Sequence, residues 1–127
     1  MRVLLDTHVL IWWFDASSKL SSQASAILTN KRNTLLLSAA AAWEIAIKAS
    51  LGKINGLEIV ADLGDQVSHG GFTELPVSIA HAVRAGLLPR HHGDPFDRLL
   101  VAQAQDLSVP ILSADRLLDH YDVKRIW

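Results

Sequence analysis

Short, unbroken aliphatic runs alternate along the chain with longer stretches of helical spacing, and this alternation constrains the fold more than any other feature. Val3-Leu4-Leu5, Thr34-Leu35-Leu36-Leu37 and Pro110-Ile111-Leu112 read as strands, with weaker candidates at residues 72–75 and 123–127. A run apolar at every position suits a strand covered on both faces, as in a parallel sheet, better than a strand with one wet face. The intervening stretches are helical. Residues 21–31 place Ala24, Ile27 and Leu28 on one face; residues 39–51 form an Ala-rich helix capped by Ser38 and stopped by Gly52; residues 57–69 and 77–85 give two more. Asp94-Pro95-Phe96-Asp97 opens the clearest helix, with an acid at the N-cap, proline at the first helical position and an acid at the third. Strand–helix alternation predicts an α/β fold with a parallel sheet and right-handed crossovers, as a single domain over 1–127.

Composition narrows the function. With 50% hydrophobic residues and a formal charge of −1, the chain can bury a core and is not expected to be disordered. It has no cysteine, which excludes disulfides and thiolate-held zinc and suits a reducing cytosol. No apolar run approaches the ~18 residues of a membrane span. The first apolar run ends at Asp6, too short for a secretory signal, so a cytoplasmic location is expected. The balance of 12 basic against 13 acidic residues argues against a broadly basic nucleic-acid surface.

Ligands of open parallel sheets bind beyond the carboxyl ends of the strands. Asp6 directly follows the first strand, and Asp115 follows the strand ending in Leu112-Ser113. Asp97 lies in the first turn of its helix, and Glu44 lies inside the Ala-rich helix. Each has an ordinary explanation. Asp6 and Asp115 suit N-caps, Asp97 suits the positive end of a helix dipole, and Lys48 is spaced to pair with Glu44. Brought to one sheet edge, however, these acids repel; two charges ~5 Å apart at an effective dielectric near 20 cost roughly 3 kcal/mol. Retained protons or a divalent cation would relieve that repulsion. An all-oxygen donor set suits Mg²⁺ or Mn²⁺ and supports attack of an activated water on a phosphodiester.

Four blocks carry a resemblance: Leu4-Leu5-Asp6-Thr7-His8, Trp43-Glu44-Ile45-Ala46-Ile47-Lys48, Asp94-Pro95-Phe96-Asp97-Arg98-Leu99-Leu100-Val101-Ala102-Gln103-Ala104, and Leu112-Ser113-Ala114-Asp115. In order and spacing they resemble the motifs of PIN-domain proteins, above all VapC-type toxins of toxin–antitoxin modules. The third block is the most specific. The resemblance implies a three-layer fold with a five-stranded parallel sheet, a metal-dependent endoribonuclease cutting structured RNA such as tRNA or rRNA, and Mg²⁺ or Mn²⁺ as cofactor. It also implies silencing by a cognate antitoxin and a homodimer. The family's acidic quartet falls on Asp6, Glu44, Asp97 and Asp115, taken as both metal ligands and catalytic residues. Asp94 is the rival for the third place, but it fits the N-cap better and could assist from there.

Thr7 and Ser113 lie beside the quartet as candidate supporting hydroxyls, with N-capping as the alternative. Lys48, Arg98 and Arg116 each follow an acid closely and are candidate RNA contacts, with ion pairing as the alternative. Arg90-His91-His92-Gly93 reads as an RNA-facing or plain surface loop, since adjacent residues project differently and Mg²⁺ prefers oxygen. His8, His69, His81 and His120 have no ligand spacing. Trp12-Trp13-Phe14 cannot all face one way on a helix, so at least one ring is expected to be exposed or covered by a partner. A phosphoacceptor receiver domain is disfavoured, because a single acid follows Leu5 and Leu37 leads to Ser38 rather than Asp. A PIN-like binding module with little or no catalysis is a further alternative. Setting the quartet aside, the 13 acids fall to 9 against 12 bases, so near-neutrality is compatible with RNA once a cation offsets the pocket.

Overall fold

The computed structural model describes residues 1–54 and 56–127. The elements run β1 (Arg2–Leu5), α1 (Thr7–Phe14), α2 (Ser22–Thr29), β2 (Thr34–Ser38), α3 (Ala39–Ser50), α4 (Gly56–Ser68), β3 (Thr73–Leu75), α5 (Ile79–Leu87), α6 (Pro95–Leu107), β4 (Ile111–Leu112), a 3₁₀ turn (Arg116–His120) and β5 (Arg125–Ile126). The sheet order is β3-β2-β1-β4-β5, and every pairing is parallel. All five expected strands are present.

The apolar runs pack as their lack of alternation predicts. Val3, Leu5, Leu35, Leu37, Leu112 and Ile126 join one core with residues of α1 to α4. Leu4, Leu36 and Ile111 join the other with Leu100, Val101 and Ala104 of α6. Helices therefore cover both faces, and each fully buried aliphatic side chain contributes about 1.5–3 kcal/mol.

Helix boundaries follow caps. Ser21 accepts the Ala24 N–H at 3.0 Å, so α2 starts one residue later than expected. Helix α5 starts at Ile79 rather than 77 because Ser78 and His81 form a reciprocal capping box. His81 therefore has a structural role, and its Nε2 lies 3.0 Å from Asp106 Oδ2. Ser38 caps α3 as expected, accepting the Ala40 N–H, and donates to Gln103 Oε1 at 2.6 Å.

The three adjacent aromatics behave differently from expectation: all are half-buried and none is exposed. Trp12 packs on Trp127 and Phe14 on Phe72, so partners distant in the sequence supply cover from within the chain.

Sheet order places the site. The chain leaves β1 toward β2 on one side and returns to β4 on the other, so a switch point lies between adjacent β1 and β4. Both strands end there, immediately before Asp6 and Ser113, and in such sheets ligands bind beyond these carboxyl ends.

Candidate active site

Asp6 occupies the N-cap position of α1, yet its side chain caps nothing. Its Oδ2 accepts the Ser113 hydroxyl at 2.6 Å across the β1–β4 boundary, and Ser113 Oγ also accepts the Asp115 N–H at 3.0 Å. The capping explanation for Asp6 therefore fails, and Ser113 supports it directly. Asp94 does cap α6, accepting from the N–H groups of Phe96 and Asp97 at 2.8 and 3.3 Å. That leaves the Asp97 carboxylate free of helix duty, and its Oδ2 lies 3.1 Å from His92 Nε2. Asp115 does both jobs: one oxygen accepts the Leu117 N–H at 3.0 Å, the other meets His92 Nε2 at 2.8 Å.

Glu44 comes into the same region from α3. Its Oε2 pairs with Lys48 Nζ at 3.1 Å, so the ordinary partner is real, but Oε1 is buried with no partner. Asp6 Oδ1 and Thr7 Oγ1 are buried and unpartnered too. Buried acceptors left unmade cost about 1–3 kcal/mol each, which marks a place shaped for a ligand.

The electrostatics bind the acids into one unit. The Asp97 carboxyl is pushed up to about 8, first by burial and then by the charges of Asp6, Asp94, Glu44 and Asp115. Burial likewise holds the Asp6 carboxyl above its ordinary range, with Ser113 opposing and Glu44 adding to the rise. Asp6, Glu44 and Asp115 thus lie near enough to Asp97 for their charges to raise its carboxyl. The donor chemistry fits a divalent cation, because buried carboxylate oxygens stand unpartnered or shared and the chain has no thiolate. His92 Nε2 and one carboxylate oxygen each of Asp97 and Asp115 lie within 4.8 Å of one another.

This charge pattern has a stability consequence. Between pH 3.8 and about 8 folded Asp97 keeps a proton that the unfolded chain has released. Its contribution to stability is full below the lower value and is lost as pH rises through about 8. Melting temperature in chelator is expected to fall across this range, and Mn²⁺ is expected to restore it at pH 8. A flat or rising profile in chelator would contradict the shared-charge arrangement.

Other expectations need revision. Arg98, expected to contact RNA, is buried; its guanidinium donates to the carbonyls of Ala85 (2.8 Å), Leu88 (2.9 Å) and Pro89 (3.0 Å). It clamps the segment between α5 and α6 and has no free face for phosphate. The histidine pair splits. His91 is exposed against Tyr121 and His120, whereas His92 enters the acid cluster and its side chain is only 11% exposed. The expectation of a surface loop therefore holds for His91 and fails for His92. The missing signal was the Tyr121–Arg98 anchor, invisible in local sequence. Arg116 is exposed beside Asp115. Lys48 also lines a groove of ≈ 660 Å³ with Lys19, Lys53, His8 and Trp12; nothing in the sequence pointed to Lys19 and Lys53.

A parallel sheet with a carboxylate cluster at its switch point is a layout suited to cation-assisted phosphoryl chemistry. A sequence profile of the PIN domain matches residues 3–124. Ribonuclease VapC22 of Mycobacterium tuberculosis is 30% identical over 117 residues, spanning 91% of this chain and 88% of that protein. The chain belongs to the PIN-domain family, among its VapC-type toxin ribonucleases. Solved structures agree in fold. Mycobacterium tuberculosis VapC20, a sarcin-ricin loop cleaving toxin, matches with a TM-score of 0.75 at 12% identity over 95% of each chain. VapBC2 from Rickettsia felis, bound to a DNA fragment from its promoter, matches at 0.72 and 14% identity, covering 99% of this chain and 98% of that one.

Proposed function

We propose that this ribonuclease depends on a divalent cation, Mg²⁺ or alternatively Mn²⁺, held by Asp6, Glu44, Asp97 and Asp115. The supporting observation is the pair of buried, unpartnered oxygens on Asp6 and Glu44 beside a carboxyl pushed up to about 8. A bound divalent ion would supply Lewis acidity, lowering the pKa of an attacking water and offsetting phosphate charge. The protein's own part is orientation. Ser113 holds Asp6, Lys48 holds Glu44 by one oxygen, and Asp94 fixes the first turn of α6 from which Asp97 projects. Thr7 offers a buried hydroxyl next to Asp6.

The substrate reading is structured RNA, tRNA or rRNA, cut endonucleolytically at an accessible loop. Arg116 and the Lys19–Lys48–Lys53 groove, whose Lys48 pairs with Glu44, offer phosphate contacts. Trp43 is 61% exposed, lies next to Glu44 and packs edge-on against Phe96 at 5.2 Å, which offers a face for an unstacked base. Cleavage of total RNA in Mn²⁺, mapped by sequencing the new ends, is expected to give a few discrete sites. EDTA should stop cleavage and weaken RNA binding together. RNA cleavage at full rate in EDTA would sink the cation-dependent reading.

The partner reading is a cognate antitoxin that covers the site and a second copy of the chain, with action in the cytoplasm. The homodimer is supported by α5, where Ile79, Val83 and Leu87 form one stripe at helical spacing, 85%, 55% and 80% exposed. Ile79→Lys with Leu87→Lys is expected to halve the sedimenting mass; an unchanged mass would move the interface elsewhere.

A further inference from the structure

His92 is placed with more care than a surface loop requires. Its backbone N–H donates to the Tyr121 hydroxyl at 2.9 Å, and that hydroxyl donates to the Pro89 carbonyl at 2.8 Å. Arg98 grips the same segment through the Leu88 and Pro89 carbonyls. The Asp94 N–H donates to His92 Nδ1 at 3.1 Å, which leaves the ring proton on Nε2. That N–H is shared between Asp115 Oδ2 at 2.8 Å and Asp97 Oδ2 at 3.1 Å. The ring is thus a donor between two carboxylates that arrive from different elements, one from α6 and one from the start of the 3₁₀ turn.

We propose that His92 is a positioning residue for the cation site, setting the separation and orientation of Asp97 and Asp115 through its ring N–H. The inference rests on the cation-dependent reading above. A carboxylate oxygen has two lone pairs, so accepting this hydrogen bond leaves capacity for an ion. Groups that orient ligating carboxylates typically change metal affinity by about 10–100-fold when removed. The buried Arg98 and Tyr121 then have a functional purpose as well: they hold the loop that aims the ring.

Mn²⁺ affinity measured by calorimetry, with the Mn²⁺ electron paramagnetic resonance signal as a second readout, tests this without RNA. His92→Ala is expected to bind Mn²⁺ about 10–100-fold more weakly than wild type. His92→Gln, whose amide N–H can reach a comparable position, is expected to recover most of that loss. A purely structural role would lower the melting temperature of both variants without separating their Mn²⁺ affinities. Should His92→Ala fail to fold, Tyr121→Phe, which removes the hydroxyl anchoring the loop, is expected to weaken Mn²⁺ binding in the same direction. A folded His92→Ala, or in its place Tyr121→Phe, that binds Mn²⁺ as wild type does overturns the proposal while leaving the cation site intact. Wild type that binds no Mn²⁺ overturns the cation-dependent reading itself.

Discussion

Replacing Asp97 with Asn is expected to abolish RNA cleavage and, at the same time, to make the cation-free protein harder to unfold. The two effects share one cause. Asp97 is the residue on which the fields of Asp6, Asp94, Glu44 and Asp115 converge, and burial adds to their effect. Asn matches its shape, can still accept the His92 N–H and carries no charge, so it removes the repulsion while withdrawing a proposed ligand. Loss of one such ligand is worth several kcal/mol of transition-state stabilisation, a fall of about 10³-fold in rate. Melting temperature in chelator at pH 8 should rise by several degrees. Asp94→Asn should lose far less activity, because Asn serves the N-cap about as well as Asp. Equal losses at the two positions would mean that the third acid had been assigned wrongly.

The second large effect is expected at Arg98, on stability. Its guanidinium is buried among main-chain carbonyls of the α5–α6 joint, and charge-assisted hydrogen bonds of this kind contribute roughly 1.5–3 kcal/mol each. Arg98→Met keeps the stem and deletes the donors, which should destabilise the fold by at least ~3 kcal/mol, a large share of a typical total of about 5–15 kcal/mol. Arg98→Lys should recover only part of this, since one ammonium cannot span a fork of acceptors. Urea unfolding measures both. A fully stable Arg98→Met with weakened RNA binding would instead place Arg98 among the phosphate contacts.

The parts of the site that were legible in sequence were those set by local rules. Asp94-Pro95 announced its helix start, and the start lies where the cap and the proline put it. Asp6 and Asp115 were legible as strand-end acids because parallel strands deliver their carboxyl ends to one edge. What misled was inference from neighbours in the chain. Arg98 follows an acid, yet a helix turns about 100° per residue, so it points away from Asp97 and into the α5–α6 joint. Trp12-Trp13-Phe14 gained cover from Trp127 and Phe72, both far away in the chain. The α5 start moved because a histidine completed a capping box usually closed by Glu or Gln.

Hydrophobic periodicity and chain direction were enough to set the strand–helix alternation, the parallel sheet and the strand-end positions of Asp6 and Asp115, whereas Glu44 joined them only through the family resemblance. Both act over a few residues, so they can be read without knowing what packs against what. Packing had to settle which acids spend their oxygens on caps and which keep them free. It also settled that His92 enters the cluster while His91 stays outside, and that Arg98 anchors the loop between them and α5. Such choices depend on burial and on partners distant in the chain, and only the packed protein specifies where water is excluded and which donor reaches which oxygen.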